Sequence, residues 1–172
     1  MRILVRVDAY SDIALGHLNR CINLAVSLEK HGHSVTFLSY NDPTTQAILS
    51  KMHFEYKLIP FKINDKQSKH KELPQLEILS DSMDLLLVDS YNVDQNYFDF
   101  LNNCFSVVGY LDDLSLDFDV DFVINPSCKV TESDYTAKKV LCGLQYVILG
   151  DEYRVGRLEA LSIKRCSILI TM

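Results

Sequence analysis

Short apolar runs recur along the chain, each broken by a polar turn and followed by helical spacing. Residues 3–7 (Ile-Leu-Val-Arg-Val) read as a buried strand that ends at Asp8. Leu18, Cys21, Ile22, Ala25 and Leu28 then recur at three- and four-residue steps, which makes one apolar helix face, and Gly32 closes that helix. Residues 35–39 read as a second strand and 56–59 as a third; between them Pro43 opens a helix to about 52, since proline is tolerated in a first turn. The stretch 62–74 is polar and lysine-rich and reads as a solvated loop or insertion, with a functional role the lesser alternative. A helix near 74–82 leads into residues 84–89 (Asp-Leu-Leu-Leu-Val-Asp), the continuous apolar run of a strand covered on both faces. A helix over 94–103, a strand over 105–111 and a shorter strand over 120–124 follow. Beyond Asn125 the pattern weakens: 129–142 reads as helix or loop, 145–149 as a strand, 154–161 as a connector, and 166–172 as a last apolar strand. Strand and helix alternating from end to end predict an α/β fold. The expected form is a Rossmann-like, mostly parallel sheet with helices on both faces and right-handed crossovers. One domain over residues 1–160 is expected, with 161–172 as the truncated first strand of a further domain, because the chain stops in mid-strand on apolar residues.

Composition narrows the function more than the fold. The 172 residues suit one domain or one plus a fragment, and 48% hydrophobic with 23% charged residues is an ordinary globular balance. Seventeen basic against 23 acidic residues leave a net charge of −6 with no basic block, which argues against a nucleic-acid partner. No apolar run reaches the roughly 20 residues that span a bilayer, and Asp8 interrupts the amino terminus too early for a signal peptide. Five scattered cysteines without a Cys-x-x-Cys pair read as reduced thiols, so a cytoplasmic protein is expected.

In open α/β sheets ligands bind beyond the carboxyl ends of the strands. Asp8, Asp89 with Ser90, Asp112 with Asp113, and Asn125 all end predicted strands, while Gly16 and His17 begin the first helix on the same edge. Each could be a cap or a turn residue; together they suggest a site. His17 could act as a general base near neutral pH, or simply pack at the helix start. Arg20, one turn on, could hold an anion or a strand-end aspartate. The three-glycine dinucleotide fingerprint and the Walker sequence are absent, so no nucleotide cofactor is expected at the first turn. A metal held by the carboxylates is the weaker reading.

The segment R-V-D-A-Y-S-D-I-A-L-G-H-L-N-R-C (6–21), with L-L-V-D-S-Y (86–91), L-D-D-L (111–114), V-I-N (123–125) and L-G-D-E-Y (149–153), resembles the PseG/SpsG family. The best-known member of that family is the hydrolase of UDP-2,4-diacetamido-2,4,6-trideoxy-β-L-altropyranose in pseudaminic acid synthesis. The resemblance implies the N-terminal half of a GT-B-like protein, two Rossmann-like domains facing each other across a cleft. It implies metal-independent hydrolysis, no cofactor, and a UDP-activated sugar as substrate. His17 would be the general base that activates water. Asp8, Gly16, Arg20, Asp89, Tyr91, Asp113 and Asn125 would be candidates for substrate binding, and the missing C-terminal domain would grip the UDP. The chain alone is then expected to be inactive. Its expected partners are a separately encoded C-terminal domain, or a second copy through residues 166–172. A sugar-nucleotide glycosyltransferase half-domain and a non-catalytic fragment of a split enzyme are the alternatives. Ala14 and Leu15 stand where the family has Gly-Thr, and residues 150–157 depart from its late Gly-Pro-x-Tyr segment, so the sugar itself is left open.

Overall fold

Seven parallel strands in a single sheet, in the order 3-2-1-4-5-6-7, form the centre of the computed structural model, which describes residues 1–10, 15–60 and 71–153. In chain order the elements are β1 (Arg2–Val7), α1 (Gly16–Lys30), β2 (Ser34–Tyr40), α2 (Pro43–Leu49) and β3 (Glu55–Ile59). They continue with α3 (Leu73–Ser80), β4 (Leu85–Asp89), α4 (Gln95–Cys104), β5 (Val108–Leu111), β6 (Phe122–Asn125) and β7 (Lys139–Cys142). The chain runs outward from β1 to β3, crosses back to β4 beside β1, and runs outward again, so the strand order reverses between β1 and β4. In open α/β sheets such a reversal marks the carboxyl edge where ligands bind.

Local chemistry sets the boundaries. Asp42 caps α2 by accepting from the Thr44 and Thr45 amides, with Pro43 in the first turn, and Asp94 caps α4 by accepting from the Tyr97 amide. Gly32 ends α1 at φ 81°, the left-handed conformation glycine adopts without a Cβ penalty. Gly109 answers a different need. It pairs with Phe122 across β5 and β6, and a Cβ there would collide with the Phe122 ring.

The two faces of the sheet bury separate cores. Ile3, Val5 and Val7 pack with Phe37, Leu87 and the α1 residues Leu18, Cys21, Ile22 and Ala25 on one face. Leu4, Leu38, Tyr40, Leu86 and Val88 pack with α3 and α4 residues, Leu76, Leu79, Phe98 and Leu101, on the other. Side chains alternate between faces along a strand, so the central strands β1 and β4 present buried side chains to both faces. The doubly covered α/β fold expected from the sequence is the fold observed.

The last third departs from expectation. No helix separates β5 from β6, and only a 3-10 turn at Glu132–Asp134 lies between β6 and β7. The expected alternation therefore stops at β5. The stretch 129–142 holds a strand rather than a helix or loop alone, and the strand expected over 145–149 begins in a 3-10 turn at Leu144–Tyr146. β7 is four residues long and incompletely buried, so its sequence carries too few core positions to show a period. Of the lysine-rich stretch 62–74, residues 71–74 are described, and Glu72 is fully buried rather than solvated. The connector at 154–161, the strand at 166–172 and the boundary at 161 lie outside the described residues. Among the described residues the cysteines are free thiols, and no helix is long and apolar enough to cross a membrane.

Candidate functional site at the carboxyl edge

Position along a strand brings a residue to the carboxyl edge; its parity decides which face it serves. Asp89 follows Leu85 and Leu87 in the alternation of β4 and so turns to the α1 face. Asp8 follows Leu4 and Arg6 and turns to the opposite face. The strand-end residues therefore form three groups.

The first group is built on α1. His17 and Arg20 lie three residues apart, which puts both on one side of the first helical turn, above the end of β4. His17 Nδ1 and Arg20 Nη2 converge on one oxygen of Asp89, which leaves the two nitrogens 3.2 Å apart. Arg20 Nε donates to the other Asp89 oxygen at 2.6 Å, and Cys21 Sγ donates to the same atom at 3.2 Å. Arg20 Nη1 reaches further, to Asp113 Oδ2 at 2.9 Å, and the Tyr91 hydroxyl donates to that same oxygen at 3.0 Å. The Tyr91 ring stands edge-on to the imidazole, centroids 4.3 Å apart at 83°. Gly16 starts the helix beside this group, exposed, with nothing described within 4 Å of where a Cβ would sit.

Electrostatics follow from that geometry. Burial raises the cost of a charge on Asp89, but the Arg20 guanidinium and the His17 contact outweigh it and hold the carboxyl below its usual range. An ionised Asp89 only accepts, so Nδ1 of His17 carries the hydrogen of that contact, and in the neutral imidazole Nε2 is the nitrogen with the lone pair. Nε2 is buried and, among the described residues, has no hydrogen-bond partner. Ser39 Oγ shares that condition, at the end of β2 on the same face of the sheet. Burial, then the neighbouring Asp89 charge, pushes the Cys21 thiol well up, so it is an inert donor rather than a nucleophile.

The second group occupies the α3/α4 face. Arg6 is 1% exposed and donates from Nε and Nη2 to the two Glu72 oxygens at 2.8 and 2.9 Å, and from Nη1 to Asp8 at 2.8 Å. Tyr40 and Tyr97 also donate to Glu72, and Arg6 lies over the Tyr40 ring. Ser90 Oγ closes the network by donating to the second Asp8 oxygen at 2.6 Å. In the third group the Asp112 carboxylate accepts from the Leu114 and Leu116 amides, Asn125 Nδ2 and the Tyr135 hydroxyl, holding a turn in which Ser115 takes φ 59°.

The structure thus brings His17, Arg20, Asp89, Tyr91 and Asp113 together beside Gly16. It does not bring Asp8 or Asn125 to them: both are buried and spent on internal bonds. Sequence reasoning missed Arg6, Glu72, Tyr40 and Tyr97. The one available signal was a charged Arg6 inside an apolar run, two residues from Asp8 and so on the same strand face.

No protein-family model matches the sequence, and no curated protein matches it. Among solved structures, the crystal structure of Acinetobacter baumannii MurG is similar, with a TM-score of 0.60 at 12% identity. The match covers 83% of this chain and 45% of that one, so the chain spans less than half the length of that structure. The likeness is one of fold: a Rossmann-like α/β domain with a GT-B neighbour.

Proposed function

We propose that this chain is the N-terminal half of a UDP-sugar-cleaving enzyme and that His17 Nε2 is the base that activates the attacking nucleophile. The observation that carries the reading is the imidazole itself, tied at Nδ1 to a buried carboxylate and left with a buried Nε2 that has no partner among the described residues, at the carboxyl edge. In the hydrolytic form, a water oxygen attacks the anomeric carbon while its proton passes to Nε2. The bond from that carbon to the UDP oxygen breaks, and UDP leaves with the electron pair. A positioned base contributes roughly 10²–10⁴ in rate. The guanidinium beside it is already paired with two carboxylates, which supports a division of labour in which another domain meets the diphosphate charge. The resemblance of residues 6–21 and 86–91 narrows the substrate to a diacetamido-trideoxy-hexose of nonulosonate or surface-polysaccharide synthesis. A second reading, transfer of the sugar to an acceptor alcohol by the same base, is supported by the likeness to MurG.

Product analysis decides between them. The chain completed by its nucleotide-binding domain is incubated with UDP-sugars in ¹⁸O-water. Hydrolysis at the anomeric carbon places the label in the released sugar, whereas transfer to an added acceptor alcohol gives a glycosylated acceptor without label; UDP leaves unlabelled in both. His17→Ala should leave the fold intact and cut turnover roughly 10²–10⁴-fold. Turnover within a few-fold of wild type would remove His17 from the mechanism.

A further inference from the structure

Arg20 stands where a substrate ligand would be expected, yet all of its reach is directed inward. Two of its nitrogens cover both oxygens of Asp89, and the third holds Asp113. Asp89 is fully buried, and a buried carboxylate needs a compensating cation. Only two groups described here can supply it. One is the Arg20 guanidinium; the other is His17, which becomes a cation by taking a proton at Nε2, the atom the proposed chemistry needs free.

We infer that Arg20 is a positioning residue, which supplies the counter-charge to Asp89 so that His17 can keep its Nε2 lone pair. The inference deepens the reading of His17 as a base and rests on it for its catalytic meaning. The contacts themselves belong to the chain and can be tested on it directly. The guanidinium fork suits this task because it meets both carboxylate oxygens at once; an ammonium group at the same place is a single point charge. Asp113 and the Tyr91 hydroxyl complete the arrangement: Asp113 draws the outer nitrogen of Arg20 away from Asp89, and Tyr91 binds the same Asp113 oxygen. The charged and titratable groups around the imidazole are therefore Asp89 and Tyr91 at the end of β4, Arg20 and Cys21 on α1, and Asp113 after β5.

Without Arg20, the Asp89–His17 pair is left with one buried negative charge and takes up a proton to cancel it. Whether that proton is written on the carboxyl or on the imidazole, Nε2 ends up protonated, since a protonated Asp89 would itself donate to Nδ1. The perturbation is therefore read at a nitrogen that Arg20 does not touch.

The test is a pH titration of the His17 ring nitrogens by ¹⁵N NMR, on the 172-residue chain, in wild type, Arg20→Gln and Arg20→Lys. In Arg20→Gln the midpoint for protonating Nε2 should rise by roughly 1–3 pH units, the usual effect of removing a charge at 4–6 Å. Arg20→Lys keeps the charge and should rise by less than half as much. It also serves if the Gln variant fails to fold, because the loss of the fork should still move the midpoint upward. Midpoints equal to wild type in every variant that folds would overturn the inference. The His17→Ala turnover measurement tests the base itself, so the two readings fail separately.

Discussion

Glu72 gives the sharpest test of how this fold is held at its carboxyl edge. Replacing it with Gln keeps the shape and removes the charge from the buried network. Glu72 is 0% exposed and accepts from Arg6 Nε, Arg6 Nη2, the Tyr40 hydroxyl and the Tyr97 hydroxyl. The amide that replaces it turns two donor hydrogens toward groups that are themselves donors, so one side of the Arg6 fork faces repulsion instead of a bond. Breaking a buried ion pair from one side costs about 3–5 kcal/mol. Arg6 retains Asp8 at 2.8 Å, which places the expected loss near the lower end, about 3 kcal/mol. For a chain of 172 residues, at about 2–4 °C per kcal/mol, that lowers the thermal midpoint by roughly 6–12 °C. Circular dichroism melts and urea unfolding on the wild type and Glu72→Gln measure it. Asp84→Ala serves as the control, since the Arg2–Asp84 pair lies in solvent and its removal should leave the midpoint in place. A Glu72→Gln loss below about 1 kcal/mol, the scale of an exposed pair, would show that water reaches this cluster and that the burial argument is wrong.

Two further outcomes follow from other parts of the fold. The Asp89 carboxyl is held below its usual range in the folded chain, so its stabilising contribution is present above the unfolded value of about 3.9 and is lost as pH falls through the folded value. The urea midpoint should therefore drop on acidification below about pH 4, and less steeply in Asp89→Asn; equal acid slopes in the two proteins would refute that assignment. Gly109→Ala should lose roughly 1–3 kcal/mol by overpacking against Phe122, and Phe122→Leu in the same chain should recover part of it, both read by urea unfolding; a Gly109→Ala variant as stable as wild type would mean that the ring simply moves aside.

The pattern of apolar runs and punctuating residues was enough to place the first five strands and four helices, helped by Gly32 after α1, Asp42 and Pro43 at the start of α2, Pro60 after β3, Pro74 in the first turn of α3 and Asp94 before α4. It also placed Asp8, His17, Asp89 and Asp113 at strand ends and the helix start, since that follows from where each run stops. Facing was not available. A strand covered on both sides, such as β4, is apolar at every position from Leu85 to Val88, so nothing in its sequence says that Asp89 turns toward α1 while Asp8 turns away. Only the register of β4 against β1, with Val7 opposite Asp89, sets that parity. Burial of Glu72 was hidden for a related reason: the residues before it in sequence are polar, and the arginine and two tyrosines that justify its charge lie 66, 32 and 25 residues away. Local pattern determines which segments become strands and helices, because that depends on contacts within a few residues. The pairing of His17 with a carboxylate 72 residues distant depends on how two such segments dock, and tertiary packing alone decides it.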